Sequence, residues 1–455
     1  VTVETNQTEP TPGQKSGRLL RVLGVGFGLA VIIGNTIGAG IFRAPGEIAT
    51  QLPNHWLFLA AWIAGGLYAL LGAFQIAELG TMLPRSGGQY VFSRYALGEY
   101  AGFIVGWSDW ISTCGSAAAV SLVIGDFAGR LFPILAGKTV AIATAVAVVF
   151  AVLQWQGIVL SSVVQDLTSF LKALAFILLV IAAFVFANHL GFDAPAAAIA
   201  TPARLALLAA FVIALQSVIY TYDGWAGVVY FSEEVRNPAR DIPRSLFSGV
   251  LAIIGIYLLV NLALLYVLPI SSIAGQEFAA GGAAQIIFGK YGNRVFLALT
   301  LLSMLSAINA YHLMATRVIF TMGRDRLFTH SVTHVNKGGT PSVALFLSAV
   351  VAVIIIISGQ TFAKVITVLA FFFVANYTLS FISVFVLRRR EPEKERPYGA
   401  WGYPWTTALA LLGSVAFLGG AVASDTKNSI YALLLLAASY PAFLLTKLLT
   451  RRSQV

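Results

Sequence analysis

GLAVIIGNTIGAGIF, residues 28–42, and ALQSVIYTYDGWAGVVYF, residues 214–231, are both apolar enough to enter a membrane, and both break near the middle. Glycines 34, 38 and 40 in the first, and the Asp223-Gly224 pair in the second, expose backbone N–H and C=O groups that hydrocarbon cannot satisfy. Such breaks survive only where they line a polar cavity. A matching pair in the two halves of a chain points to a substrate site near the bilayer midplane of a secondary transporter.

Composition agrees. The 455 residues are 58% hydrophobic and 11% charged, with a mean hydropathy of +0.83, more apolar than a soluble surface allows. Windows near the length that crosses about 30 Å of hydrocarbon recur at 22–50, 56–83, 97–131, 138–156, 162–187, 203–232, 243–270, 282–322, 341–358, 362–388, 404–424 and 428–449, which makes twelve spans. Of 29 Lys and Arg, nineteen fall on the side that holds both termini and eight on the other. The positive-inside bias therefore predicts cytoplasmic N- and C-termini. The net charge of +10 reads as that bias plus attraction to anionic membrane lipid, and not as a nucleic-acid surface. Residues 1–18 lack the apolar core of a signal peptide and read as a flexible cytosolic tail. The one cysteine, Cys114, permits neither an intrachain disulfide nor a thiolate metal cluster, and no cofactor is expected.

The broken spans are the first and the sixth, so residues 19–200 and 201–390 read as two five-span repeats. Residues 391–455 then hold a cytosolic loop, spans eleven and twelve and a short tail. An odd number of spans inverts the second repeat and sets the two breaks side by side.

GNTIGAGIF, YTYDGWAGVVYFSEEVRNPARDIPRS (220–245) and SVVQDLTSFLKAL (162–174) together resemble the amino acid–polyamine–organocation transporters. Within that superfamily they most resemble the L-type amino acid transporter branch. The resemblance covers residues 20–450 and implies an all-α membrane protein of the LeuT type: twelve transmembrane helices, a 5+5 inverted repeat, and broken helices 1 and 6. It also implies a bacterial stand-alone carrier in the inner membrane. Animal members of this branch carry a cysteine after the third span that bonds a heavy chain. The loop RLFPILAGKT has none, so neither a disulfide-linked heavy chain nor an accessory subunit is expected.

The chemistry of the breaks is that of helix ends. Unpaired N–H groups of Gly38, Ala39 and Gly40, at the positive end of a half-helix, suit a carboxylate. Carbonyls near Asn35, Thr36, Tyr220 and Thr221, at negative ends, suit an ammonium group. Opposite polarities this close describe the main-chain groups of an α-amino acid, which reaches bare backbone because glycines leave room. The plainer alternative makes Gly34 and Gly38 a helix-packing seam.

Asp223, a carboxylate at membrane depth that costs about 3 kcal/mol unless paired or hydrated, reads as a receptor for the α-ammonium or for a cationic side chain. The alternatives are a structural ion pair or a protonated, hydrogen-bonded acid. Lys172 lies about 15 Å into the fifth span, too deep to snorkel. The resemblance places its ammonium where sodium-coupled relatives hold sodium, which argues for sodium independence; static pairing with carbonyls is the alternative. The resemblance also makes Tyr220 an outer-gate aromatic and places Asn309 at the pocket, although Asn309 could equally tie helix to helix. Gly224 and Trp225 are assigned to the pocket because they lie at the second break, although Trp225 fits packing of the half-helix better than contact with substrate. His312 reads as a satisfied packing histidine, and Arg317 and Glu78 as snorkelling side chains. Glu233, Glu234, Arg236 and Arg240 form either an inner gate or a solvated loop.

The function these features imply is a sodium-independent secondary amino acid transporter working by alternating access, an exchanger of neutral and also cationic L-amino acids. A proton-coupled amino acid or polyamine symporter is the alternative, and a channel a more distant one. An enzyme is not expected, since the five histidines are scattered and form no catalytic or metal-binding cluster.

Overall fold

The computed structural model describes residues 19–38, 40–186, 204–276, 278–358, 362–424 and 426–452. The expected tail, 1–18, lies outside them. The described chain is all-helical. Its elements are α1 (Val25–Thr36), α2 (Gly40–Gln51), α3 (His55–Met82), α4 (Gln89–Leu97), α5 (Glu99–Leu131), α6 (Thr139–Trp155), α7 (Ile158–Phe186) and α8 (Arg204–Tyr222). They continue with α9 (Pro238–Val267), α10 (Ile270–Ile273), α11 (Ala279–Phe288), α12 (Gly292–Arg324), α13 (Ser342–Ile357), α14 (Phe362–Arg390), α15 (Trp405–Ser424) and α16 (Thr426–Arg452).

Among the described residues nine helices are long and apolar enough to cross a membrane, or ten if α1 and α2 count as one bent span. This is a multi-pass membrane protein. The windows expected at 138–156 and 341–358 are α6 and α13, apolar but only 17 and 16 residues long. At 1.5 Å per residue each reaches about 25 Å, slightly less than the hydrocarbon thickness.

Local sequence sets the helix ends. Asn54 caps α3, its side-chain oxygen accepting from the N–H groups of Trp56 at 2.9 Å and Leu57 at 3.2 Å. Pro238 opens α9 at a position where its missing N–H costs nothing. The GNTIGAG stretch ends α1 at Thr36, and α2 starts at Gly40 with its axis turned by 47°. α8 ends at Tyr222, and Gly224 follows at φ +108°, a backbone conformation that glycine adopts without strain. A 3₁₀ turn over Gly227–Phe231 comes next.

The core is a bundle around α1, α5 and α12. α1 packs on α7, α9 and α12, and α5 on α12, α6, α4, α14, α13 and α16. The apolar window of α5 is 89% buried, against 22% for α15 and α16, which lie at the periphery. Gly34 explains how closely α1 approaches α7, since a Cβ there would fall 2.0 Å from Gln165 Nε2 and 2.7 Å from Ser169 Oγ. Gly38 is different: the nearest atom to a Cβ there is the Asn35 carbonyl oxygen at 4.0 Å. The two glycines therefore do not form one packing seam.

Candidate functional site

The two interruptions meet around a small cavity of about 30 Å³. The first contributes Asn35, Thr36, Gly38 and Gly40, and the second Tyr220, Thr221 and Asp223. The far wall is Ser116 and Val120 of α5, Tyr311 of α12 and Phe373 of α14. Ala39 lies outside the described residues. Two polar atoms at the cavity, Asn35 Oδ1 and Thr36 Oγ1, are buried without a hydrogen-bond partner among the described residues. Groups left so are costly unless something else satisfies them.

The carbonyl ends are held by side chains from the surrounding helices. Tyr257 of α9 places its hydroxyl 2.8 Å from the Thr36 carbonyl oxygen and 2.9 Å from that of Thr221, so one phenol joins the ends of α1 and α8. Asn35 Nδ2 donates to the Gly224 carbonyl at 3.4 Å. Lys172 of α7, 1% exposed, donates from Nζ to the carbonyls of Gly34 at 2.9 Å and Ile37 at 2.5 Å. Ser303 of α12 donates to the same Ile37 carbonyl at 2.9 Å. The ammonium thus ties the end of α1 to α7 and, through that shared carbonyl, to α12.

Among the described residues Asp223 has no cationic hydrogen-bond partner; its Oδ1 accepts from the Tyr377 hydroxyl of α14 at 2.9 Å. Two residues expected at the pocket sit elsewhere. Trp225 does not line the cavity; it stacks on Tyr377 with ring centroids 4.9 Å apart, filling space left by Gly72. Asn309 is also a correction to the pocket assignment. Its Nδ2 donates to Gln165 Oε1 at 2.9 Å and to the Ser161 carbonyl at 3.1 Å, while Gln154 Nε2 donates to its carbonyl at 2.8 Å. It is a helix-to-helix tie, because its side chain leaves α12 toward α6 and α7. Gly224 takes part only through its carbonyl.

Beyond Tyr220, at one end of the bundle, lies a larger polar cavity of about 460 Å³ lined by Arg43, Glu47, Thr50, Gln51, Ile213, Ser217, Gly275 and Gln276. The cation-rich opposite end is closed by ion pairs. Arg317 grips Glu234 with two bonds of 3.0 and 2.9 Å, both side chains with 0% exposure. Arg324 donates to the Glu233 carboxylate, and the Glu233 backbone N–H donates to Ser86 Oγ at 3.1 Å. Asp325 accepts from Arg85 at 2.9 Å and from Tyr90 at 3.0 Å. Burial, then the Asp325 carboxylate, push the Tyr90 hydroxyl far above its ordinary range, so it remains a donor. The backbone at Leu23 pairs with Val235 alongside.

This corrects three sequence expectations. Arg317 does not snorkel, because Glu234 offers a bidentate partner in the interior. Glu78 does not snorkel either: it is 2% exposed and accepts from Arg388 Nε at 2.8 Å, Arg396 Nε at 3.2 Å and the Ala400 N–H at 2.7 Å. His312 is buried but not satisfied, since its Nε2 has no partner. Of the charged quartet, Glu233 and Glu234 are engaged in this closure, whereas Arg236 and Arg240 are exposed.

Sequence reading missed Tyr257, Tyr377, Tyr311, Ser116, Phe373 and Ser303. The one available signal was tyrosine inside otherwise apolar helices, whose hydroxyl demands a partner at that depth.

The sequence model of the amino acid permease family matches residues 28–439. The serine/threonine exchanger SteT of Bacillus subtilis is 29% identical over 432 residues, 93% of this chain and 96% of that protein. Human b(0,+)-type amino acid transporter 1 is 26% identical, covering 84% of this chain and 79% of its own length. Human Asc-type amino acid transporter 1 is 27% identical, covering 83% and 73%. The chain belongs to the amino acid permease family, whose members are transporters and not enzymes.

Proposed function

We propose that this amino acid permease is a sodium-independent exchanger of neutral and cationic L-amino acids, small neutral ones foremost, working by alternating access in a bacterial plasma membrane with both termini cytoplasmic. The observation that carries the reading is the convergence of the two helix interruptions on one cavity, with Asn35 Oδ1 and Thr36 Oγ1 buried and unpartnered beside it. Amide groups at the start of α2 receive the substrate carboxylate, and carbonyls at the ends of α1 and α8 its ammonium. The likeness to a serine/threonine exchanger favours small side chains.

In this reading the fold is a twelve-span 5+5 inverted repeat, with α1–α2 and α8 with its following 3₁₀ turn as the broken helices. Tyr220 is the gate toward the larger cavity, and the ion-paired end is the closed cytoplasmic gate. Lys172 stands where a sodium ion would otherwise be needed to hold the end of α1. Asp223 extends acceptance to cationic side chains. Cys114, buried in α5, leaves no thiol for a partner subunit.

The test is counterflow in proteoliposomes. Liposomes loaded with unlabelled serine should accumulate labelled serine faster than empty ones, equally in sodium and in choline buffer. Uptake that ignores internal substrate would defeat exchange, and sodium stimulation would defeat the role given to Lys172.

A further inference from the structure

Asp109 lies seven residues before Ser116 on α5, two helical turns from the candidate cavity and on the same face. It is 2% exposed. Its two carboxyl oxygens stand 2.8 and 2.9 Å from a single hydroxyl, that of Tyr230 in the 3₁₀ turn after α8. A phenol has one proton to give. It can share that proton between the two oxygens of an ionised carboxylate, as Tyr257 shares its own between two carbonyls, or donate to one oxygen and accept from the other when the carboxyl keeps a proton; burial without a cation favours the second. Of the neighbouring hydroxyls, Thr113 donates to the Asp109 backbone carbonyl at 2.7 Å and also lies within hydrogen-bonding reach of its carboxyl, and Ser108 bonds the Val105 carbonyl at 3.2 Å and Asn376 at 2.9 Å.

No cation compensates this carboxyl among the described residues. Asp223 is the charged group within electrostatic reach, and it carries the same sign. From α14 comes Tyr377, whose hydroxyl donates to Asp223. From α12 come Tyr311, His312, Arg317 and Arg324, the two arginines held by Glu234 and Glu233. α4 brings Tyr90 and Arg94, both facing Asp325. α6 and α13 have no titratable residue. α16 has Lys427, Tyr431, Tyr440 and Lys447, the last paired with Glu99, and α5 itself adds Cys114, Tyr100, Asp126 and Arg130. Tyr230 also belongs to the closed end: its carbonyl accepts from the Gly87 N–H at 3.2 Å, and Glu233 follows three residues on.

We propose that Asp109 and Tyr230 form a proton-binding site on the cytoplasmic side of the substrate cavity, so that opening this end releases a proton and closing it takes one up from the same side; this rests on the transport reading above. In the closed arrangement the Asp109 O–H donates to the Tyr230 oxygen, and Tyr230 donates to the other carboxyl oxygen. When the Glu233–Arg324 and Glu234–Arg317 pairs part, water reaches the site. The carboxyl O–H bond breaks, the proton passes to water, the electron pair stays on the carboxylate, and Tyr230 keeps its own proton. Closing again requires Asp109 to be reprotonated.

The experiment is serine counterflow in proteoliposomes, with the pH on the cytoplasmic face varied alone. Parent protein should give a rate that falls as that pH rises. Asp109→Asn, which fixes the neutral form, should show a flat pH profile. Tyr230→Phe should shift the midpoint of the profile. An Asp109→Asn protein that elutes as a single species yet keeps the parent profile overturns the proposal. If that variant does not fold, an unchanged midpoint in Tyr230→Phe overturns it. Serine counterflow whose rate ignores the cytoplasmic pH in the parent overturns this site while leaving transport intact, whereas absence of counterflow in the parent overturns transport itself.

Discussion

Gly40→Val tests whether the two interruptions must touch. A Cβ at residue 40 would sit 3.0 Å from Thr221 Cγ2 and Oγ1 and 3.1 Å from Thr221 Cα. The side-chain atoms could rotate away, but the Cα belongs to the opposite chain segment, whose position Tyr257 fixes through the Thr221 carbonyl at 2.9 Å. Valine adds two further carbons in the same space. Overpacking of this kind costs about 1–3 kcal/mol, which at about 1.4 kcal/mol per factor of ten lowers the population of the correctly assembled site roughly 5- to 150-fold. Gly38→Ala is the matched control, since its methyl group would meet open space, with nothing nearer than 4.0 Å. It should weaken substrate binding through lost room while leaving thermal stability near that of the parent. The assay is initial-rate serine counterflow alongside size-exclusion and melting of purified protein. Gly40→Val that transports within about twofold of the parent would refute the claim that this contact assembles the site.

Lys172→Ala removes the donor to Gly34 and leaves Ile37 with Ser303 alone; charged hydrogen bonds are worth about 1.5–3 kcal/mol each, so turnover should drop at least about tenfold with a smaller change in the substrate concentration at half-maximal rate. A loss confined to apparent affinity would mean that Lys172 contacts substrate. Asp223→Asn should retain a partner for Tyr377 and reduce competition by arginine or lysine more than competition by alanine; equal losses would assign Asp223 to the α-ammonium. Glu234→Gln leaves the Arg317 charge buried with no ionised partner, a change that costs about 3–5 kcal/mol in buried pairs. The melting temperature should fall, and Glu234→Gln with Arg317→Met should recover part of the loss. A single variant as stable as the parent would show that the pair is not structurally required.

What the sequence determined is the class of molecule and the place where its helices fail. Hydrophobicity is a sum over a window, so the nine or ten long apolar helices among the described residues were legible from composition alone, and α6 and α13 were legible as shorter apolar helices. The breaks at GNTIGAG and YTYDGW were legible because a run of glycines, or an acid beside a glycine, contradicts its apolar surroundings. The tertiary structure decided where side chains from distant helices arrive. Tyr257, 36 residues after Thr221 in sequence, reaches both helix ends only because α9 packs against α1. Asn309 turned away from the cavity because its rotational position on α12 faces Gln154 and Gln165. Arg317 and Glu78 looked like snorkelling residues because linear position gives depth along a helix and not the direction around it. A charge whose partner lies 83 residues away, as Glu234 does from Arg317, carries no local mark of being paired. Depth and backbone conformation are written in neighbouring residues, whereas partnership at a helix interface depends on the rotation and packing of every helix in the bundle.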